Sequence, residues 1–497
     1  MHDCVGVVQS ALVRRRKIQK QGARSPCTIS PLIKTHLKRP IRYLSRCAIA
    51  FLLPTCFAQH NPPSQGREIT KLYTENCGSC HGPEMAGGTA PRLANNPVDD
   101  AKATHSIRDG HPTLQHAFND AEIRGLVIYI RERAAAYERD HTKYNSPSPG
   151  VAVQSEKVVF KLEPVIESGL DVPWAIAFLP HGRMLVTERP GRLRVVENDR
   201  LLPEPIHGMP AVYGGEGGLL DIVLHNDWLY LSYGDKSRDG QGMTAIIRGH
   251  LRNGEFVDQQ QIFKADSALY RPGGQRFGSR LIFDKQGHLF FSIGDRAAPG
   301  DEQELSHPNG KIYRVNEDGS VPSDNPFVNR GGAIKAIWSY GHRNPQGLSF
   351  SPVTGELWEA EHGPRGGDEL NIIGPGHNYG WPVITYGMNY DGTPITSHTT
   401  QAGMDQPITY WVPSIAASPI AFYTGSRFPA WKNSLFLGAL AAQELRRITI
   451  EGRNVTSQEI LFKGIGRVRN IENSPDGYLY VVLNQPDRIL RLVPATN

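Results

Sequence analysis

Between residues 173 and 480 the chain states one short pattern six times: an apolar strand, a turn built on Gly, Pro or Asp, and a second apolar strand. The pairs are Ala175–Phe178 with Met184–Thr187, Leu220–Leu224 with Leu229–Leu231, and Leu281–Phe283 with Leu289–Ser292. They continue as Gly347–Phe350 with Glu356–Trp358, Ile420–Phe422 with Leu435–Leu437, and Ile471 onward with Tyr478–Tyr480. One such unit cannot bury its apolar faces alone, so its neighbours in space must be copies of itself. Repeats of this type at roughly 40–60 residues imply a β-propeller. Six units predict six blades, and a β-sandwich would not explain the repeating pair. The 51 glycines and 37 prolines fit a chain of many turns and few long helices.

The first 150 residues do not follow the pattern. Residues 1–60 hold eleven of the 54 Lys and Arg and one of the 49 acids, which leaves 43 bases against 48 acids in the body. A mildly acidic body argues against nucleic acid as a partner. Arg39, Arg42 and Arg46 precede the apolar run Ala48–Phe57, and the small Ala58 follows. Basic, apolar and small residues in that order predict a secretory signal over 1–58 and an exported, periplasmic or extracellular protein with no membrane span once processed. The stretch before Lys38 is long for such a signal, which raises a downstream start codon as an alternative. Lipid anchoring at Cys56 is a minor one, because Leu53-Pro54-Thr55 is a poor lead-in.

Four of the six cysteines lie in that leader, so the body has no disulfide framework. Its two, Cys77 and Cys80, stand in Cys77-Gly78-Ser79-Cys80-His81. Two thiols at that spacing can add to both haem vinyl groups, and His81 then offers its imidazole to the iron. A thioredoxin-like pair and a zinc half-site are the alternatives, and zinc would need further thiols. The segment 68–139 resembles class I cytochromes c: Leu72-Tyr73 before the motif, the loop around Gly87-Gly88 and Ala90–Leu93, then a helix N-capped by Asp120 and closing near Tyr137. The resemblance implies a small all-α domain with covalent haem c. Such domains usually supply a Met as sixth ligand, but the loop Gly110–Phe118 contains none, and Met85 is too near His81 in sequence to reach the opposite face. His116 is the leading candidate, ahead of His111 and His105, with an open or water-bound iron as the alternative. Residues 140–152, polar and Pro-containing, read as a semi-rigid linker to a propeller over 153–497.

Within the propeller, chemistry concentrates between Gly341 and Pro382, in the bursts G-H-R-N-P-Q-G, E-H-G-P-R-G-G-D-E-L-N and N-Y-G-W-P. These are loops delivered to one end of a sheet. Arg343, followed by Asn344-Pro345, lies close to the carboxylates Asp368 and Glu369. A fixed cation beside hard oxygen ligands suits an anionic cofactor and a metal. A merely solvated acidic turn is the alternative for Asp368 and Glu369.

These bursts, with Pro173–Phe178, Thr187-Glu188-Arg189 and Gly217–Leu220 running into His225, make residues 155–495 similar to the soluble PQQ-dependent glucose and aldose sugar dehydrogenases. The resemblance implies an oxidoreductase that converts the anomeric hydroxyl of an aldose to a lactone, with pyrroloquinoline quinone (PQQ) as hydride acceptor, haem c as relay and Ca²⁺ as a second cofactor. It implies His225 as general base, oriented by Asp239 or less readily Asp235. Arg343 and Asn344 would contact PQQ, and Arg467 and Arg469 would clamp its carboxylates. The carbonyls of Gly363 and Pro364 would hold one Ca²⁺; Glu369 and the Tyr379 carbonyl would hold a second. A family lysine in the fifth blade is missing from Gly438–Ala442, with Ala441 near its place. The partners expected are an aldose and an external acceptor, a cytochrome or quinone pool; a homodimer is compatible with the sequence. The rival readings are a non-catalytic carbohydrate-binding propeller fused to a haem, and a PQQ dehydrogenase for non-sugar alcohols.

Overall fold

A computed structural model of the chain describes residues 62–94, 99–111, 114 and 117–495; the leader and His116 lie outside them. Six antiparallel sheets form, and each of the six predicted strand pairs is the inner half of one. The innermost strands are Pro173–Phe178, Leu219–His225, Leu281–Phe283, Pro345–Phe350, Ala417–Phe422 and Arg467–Asn473, here taken in order as blades one to six. Each touches the next, and Arg467–Asn473 returns to Pro173–Phe178, so the ring closes. The fold is a six-bladed β-propeller, mainly β.

Alternation explains the packing. In blade four Trp358 and Ala360 join the apolar layer shared with blade five, while Leu357 and Ile373 face blade three with Phe290 and Ile312. Every sheet is buried on both faces in this way, which is why its strands read as short, nearly continuous apolar runs. Where the inner strands of blades four and five draw together, a Cβ on Gly347 would run into the Ser418 carbonyl, so only glycine fits. Blade six is composite. Val159–Ile166, from the start of the propeller, pairs with Arg488–Pro494 from its end, and Ala152–Gln154 adds an outer strand.

Among the described residues, four helices stand ahead of the ring: α1 (Ile69–Asn76), α2 (Gly78–His81), α3 (Asp100–Arg108) and α4 (Asp120–His141). Glu68 caps α1, its carboxylate accepting the N–H groups of Thr70 and Lys71 at 2.8 and 2.7 Å. The cap of α4 is Asn119 rather than Asp120. Asn119 Oδ1 accepts the Glu122 N–H and Glu122 returns the bond, a reciprocal box that an Asp one residue later cannot make. Arg67 bonds the same Glu122 carboxylate at 2.7 Å and holds its pKa down to about 2. The helix runs to His141, four residues beyond the expected close.

This helical module rests on loops of blade four. Glu132 of α4 takes a two-pronged ion pair from Arg365, at 3.0 and 2.8 Å. Ile69 and Gln65 donate backbone N–H to the carbonyls of Gly392 and Pro394. Met388, fully buried, belongs to the same apolar cluster as Ile69, Leu72 and Ile128. The linker is held as well, Lys463 N–H bonding the Asn145 carbonyl at 2.8 Å.

Candidate active site at the arginine-lined end of the ring

The six inner strands all begin at the same end of the ring, so residues just before them, or at their first positions, share one mouth. Arg343 and Asn344 precede the blade-four strand, Arg467 and Arg469 open the blade-six strand, and Arg276 stands in the loop leading to blade three. Contacts across the axis tie these loops together. Asn344 Oδ1 accepts the Gly278 N–H at 3.1 Å, and Arg280 donates to the carbonyls of Gln346 and Arg469.

Arg343 is held at both its ends. Its N–H and that of Asn344 both point at Glu361 Oε2, at 2.6 and 3.2 Å. Its guanidinium donates to the carbonyls of His362 and Gly363 and to the Tyr390 hydroxyl, and lies 5.3 Å from the Trp381 ring. Its Nε is buried with no partner. Arg469 is likewise bonded only to neutral groups, Asn484 Oδ1 and Gln346 Oε1, at 3.3 and 3.2 Å. Burial first, then Arg467, Arg280 and Arg189, push its pKa down to about 9. Arg276 does have an acid, Asp295 at 2.7 Å, which also accepts the Trp381 indole N–H. Among these cations sits His362. Its Nδ1 lies 3.2 Å from the Asn344 amide and its Nε2 is buried and unpartnered. Burial, followed by Arg469, Arg343, Arg467 and Arg276, holds the imidazole neutral, well below its ordinary pKa. Buried positive charge matched only to dipoles is costly until an anion arrives. The mouth therefore fits a polycarboxylate such as PQQ.

Beside the arginines lies a layer of buried carboxylates. Glu359 pairs across strands with Asn371, and Glu361 with Glu369, which places all four side chains on one face of blade four. His342 completes the group: its Nδ1 is 3.4 Å from Glu361, its Nε2 bonds Ser339, and Tyr379 stacks on it at 4.7 Å. Ligand atoms of His342, Glu359 and Glu361 fall within 4.8 Å of one another. Glu359 Oε1 and Asn371 Oδ1 are buried without partners. Burial and then Glu361 push both Glu359 and Glu369 well above the carboxylate range. Orphaned hard oxygens around a pocket of this kind fit a divalent cation. A small cavity brings the expected ligands Gly363, Pro364, Glu369 and Tyr379 together with Arg343 and His362.

Other expected residues fall elsewhere. Asp368 is no solvated turn; it is fully buried, and accepts N–H groups from Gly363, Ile415 and Ala417 and the Ser414 hydroxyl at 2.7–3.0 Å. It fastens the Gly363 loop to blade five and has no oxygen left for a metal. His225 is not in the mouth. It ends its strand, whereas Arg343 and Arg467 begin theirs, so it lies at the opposite end of the ring, stacked on Phe283 at 3.9 Å and 3.3 Å from Glu317. Asp239 cannot orient it. That residue is in the hairpin between Trp228–Lys236 and Gly242–Arg252, a full strand away, bonded to Ser237 and Gln241. Asp235 instead holds Tyr270 and Lys264. Ala441 offers no cation, and none of the described residues supplies a lysine there. Sequence reasoning missed Arg276, His362 and Glu359. Glu359-x-Glu361 facing Glu369-x-Asn371 was readable as a two-residue period of polar groups on adjacent strands.

In the helical module Cys77 and Cys80 are free thiols, Cys77 at the N-cap of α2 and Cys80 within it. His81 Nδ1 bonds the Pro91 carbonyl at 2.8 Å, which fixes the tautomer and leaves Nε2 as the metal-binding nitrogen. Met85 is fully buried in the apolar cluster, and His105 is taken by Asp109 at 3.1 Å. These residues fit covalent haem at Cys77, Cys80 and His81.

Comparison with known proteins agrees with both halves. Residues 170–491 match the family described as Glucose / Sorbosone dehydrogenase, and residues 64–130 match Cytochrome C oxidase, cbb3-type, subunit III. The aldose sugar dehydrogenase YliI of Escherichia coli K12 is 41% identical over 346 residues, covering 67% of this chain and 92% of that one. A crystal structure of a glucose dehydrogenase superposes with a TM-score of 0.65 at 43% identity, over 68% of this chain and all of the other. The PQQ-bound aldose sugar dehydrogenase of Streptomyces coelicolor does so at 0.54 and 27% identity, over 67% of this chain and 98% of the other.

Proposed function

Since the chain belongs to the glucose/sorbosone dehydrogenase family and carries a cytochrome c domain ahead of the propeller, we propose that it is an exported quinohaemoprotein oxidising aldoses at the anomeric hydroxyl to lactones. The observation that carries this reading is the cluster of Arg276, Arg343, Arg467 and Arg469, two of them matched only to neutral partners, around His362 at one mouth of the ring.

PQQ bound there would supply a two-electron hydride acceptor, and haem c a one-electron acceptor. The chain's own residues do the rest. Arg467 and Arg469 hold carboxylates; Arg343, fixed by Glu361 and by two carbonyls, stands ready to stabilise negative charge developing on an oxygen. His362 Nε2, with no partner in the protein, is the imidazole of this mouth able to take the hydroxyl proton. Glu359, Glu361, Glu369 and His342, with the Gly363 and Pro364 carbonyls close by, would hold a Ca²⁺ that offsets their charge. Arg365, two residues beyond Gly363, ties this same loop to the cytochrome. The basic and apolar leader supports export, where haem c attachment and an external acceptor are available.

The test is to purify the full protein with haem attached, add PQQ and Ca²⁺, and follow haem reduction on adding aldoses under anaerobic conditions. Reduction that needs PQQ and yields lactone supports the proposal. Bound PQQ with no haem reduction by any aldose, or reduction by simple alcohols alone, overturns it.

A further inference from the structure

Resting on the aldose reading above, we infer that Tyr390 is the ring on which the sugar stacks and that the cytochrome domain holds it in place, so that the haem module builds one wall of the substrate site. Among the described residues, the large apolar side chains standing exposed are Val151, Val321, Val353 and Tyr390. Tyr390, 44% exposed, is the one bonded to a residue of the arginine-lined mouth. Its hydroxyl accepts a bond from Arg343 at 3.3 Å, and its ring centre lies 5.8 Å from that guanidinium. The other terminal nitrogen of Arg343 donates to the His362 carbonyl at 2.9 Å, so the exposed ring stands one guanidinium away from His362. An exposed aromatic ring on a polar rim is more informative than a buried one. A pyranose carries hydroxyls around its edge and C–H bonds across its faces. An aromatic face, negative in its quadrupole, takes such a C–H face, while the few polar groups around it fix the orientation.

The ring's position depends on the cytochrome. Tyr390 lies in a short hairpin in which Met388 bridges Arg365 and Pro394, and the Asn389 N–H bonds the Thr393 carbonyl at 2.9 Å. A two-stranded hairpin is marginal by itself. Here the haem module and the segment leading into it supply its packing. The N–H groups of Ile69 and Gln65 bond the Gly392 and Pro394 carbonyls at 3.0 and 2.9 Å, and the Asn389 amide donates to the Pro62 carbonyl at 3.1 Å. Met388 is buried among the cytochrome's own apolar side chains. Gly392, at φ 83°, comes so near that a Cβ there would lie 2.5 Å from an oxygen of the Glu68 carboxylate. That carboxylate caps α1, so hairpin and helix meet at a contact that only glycine allows.

The experiment uses the full-length protein with haem attached and with PQQ and Ca²⁺ added, and a soluble dye as electron acceptor, so that the rate does not depend on the haem. Tyr390→Ala should raise KM for aldoses about tenfold. It should weaken by the same factor the binding of 1,5-anhydroglucitol, a pyranose that lacks the anomeric hydroxyl and is not oxidised. Turnover at saturating sugar should stay within about twofold of wild type, because a contact made equally to substrate and transition state moves KM alone. Affinity for PQQ should not change, which shows that the variant is folded. Tyr390→Phe should behave as wild type. Gly392→Ala, which pushes the hairpin off Glu68, should raise KM in the same sense, and Glu68→Ala added to it should bring KM back toward wild type. An unmoved KM in Tyr390→Ala, or a rise in Tyr390→Phe as large as in Tyr390→Ala, would overturn the stacking role. An unmoved KM in Gly392→Ala would overturn the part given to the cytochrome. Wild-type protein that oxidises no aldose would fail the aldose reading itself, whereas turnover with an unmoved KM fails this inference alone.

Discussion

Arg469 is the residue on which cofactor affinity should turn. Its buried guanidinium meets only Asn484 and Gln346, so the anion that completes it is foreign to the chain. Arg469→Ala should weaken PQQ binding by about one to two orders of magnitude, since a charge-assisted bond contributes about 1.5–3 kcal/mol, and should leave thermal stability unchanged or raised. Titration of the apoprotein with PQQ checks the first, and its melting curve without PQQ the second. His362→Gln should bind PQQ normally yet lose on the order of 10²–10⁴ in turnover, the usual contribution of a general base, whereas His225→Ala at the far end should turn over at the wild-type rate. Glu472 gives a pH test. It lies in the wall of a cavity of about 750 Å³ along the ring axis, and burial, then Asp221, raise its pKa to about 8. A raised folded pKa favours the native state while the group is protonated. Its contribution is therefore full below the ordinary carboxylate value near 4.5 and is lost as pH rises through about 8. Melting temperature should fall over that window, and Glu472→Gln should flatten the fall.

At the scale of elements, the legible part was the pattern and the illegible part was direction. Strand pairs and their number could be read because apolar alternation has a period of two and the turns between carry Gly, Pro or Asp. Arg343 and Arg469 were legible because they stand before or at the start of an inner strand. His225 also adjoins an inner strand, but at its end, and a strand of seven residues separates its two ends by roughly 20 Å. Nothing in a local sequence says which end of a strand faces the cofactor; only the shared sense of all six inner strands does. Burial was hidden for the same reason: Asp368 and Glu361 read as loop acids until neighbouring blades enclose them. Blade four is thus an element with charge inside it, and its stability should depend on a cation. Chelation should lower the melting temperature and added Ca²⁺ restore it, by about 2.7 kcal/mol at a hundredfold excess over the dissociation constant. Glu359→Gln should shrink the difference.

In the molecule as a whole, Arg365 and Glu132, 233 residues apart in sequence, join the cytochrome to the loop that carries Gly363 and Pro364. Arg365→Ala should slow haem reduction after sugar addition while reduction of an artificial dye by the same protein stays at the wild-type rate; equal loss with both acceptors would place Arg365 in the sugar site instead. The composite sixth blade has a different bearing. The strand Val159–Ile166 comes early in the chain and has to wait, unpaired on that side, for Arg488–Pro494 at the far end of the ring. The cytochrome, made before that strand, needs no part of blade six for its own helices, but its seat on residues 365–394 appears only when blade four has been made. Assembly then has a natural order: haem attachment to a module still on a loose tether, docking on the half-built ring, and last the stitch that closes it. A nick just before Arg488 would undo that last stitch and leave the docked cytochrome where it is.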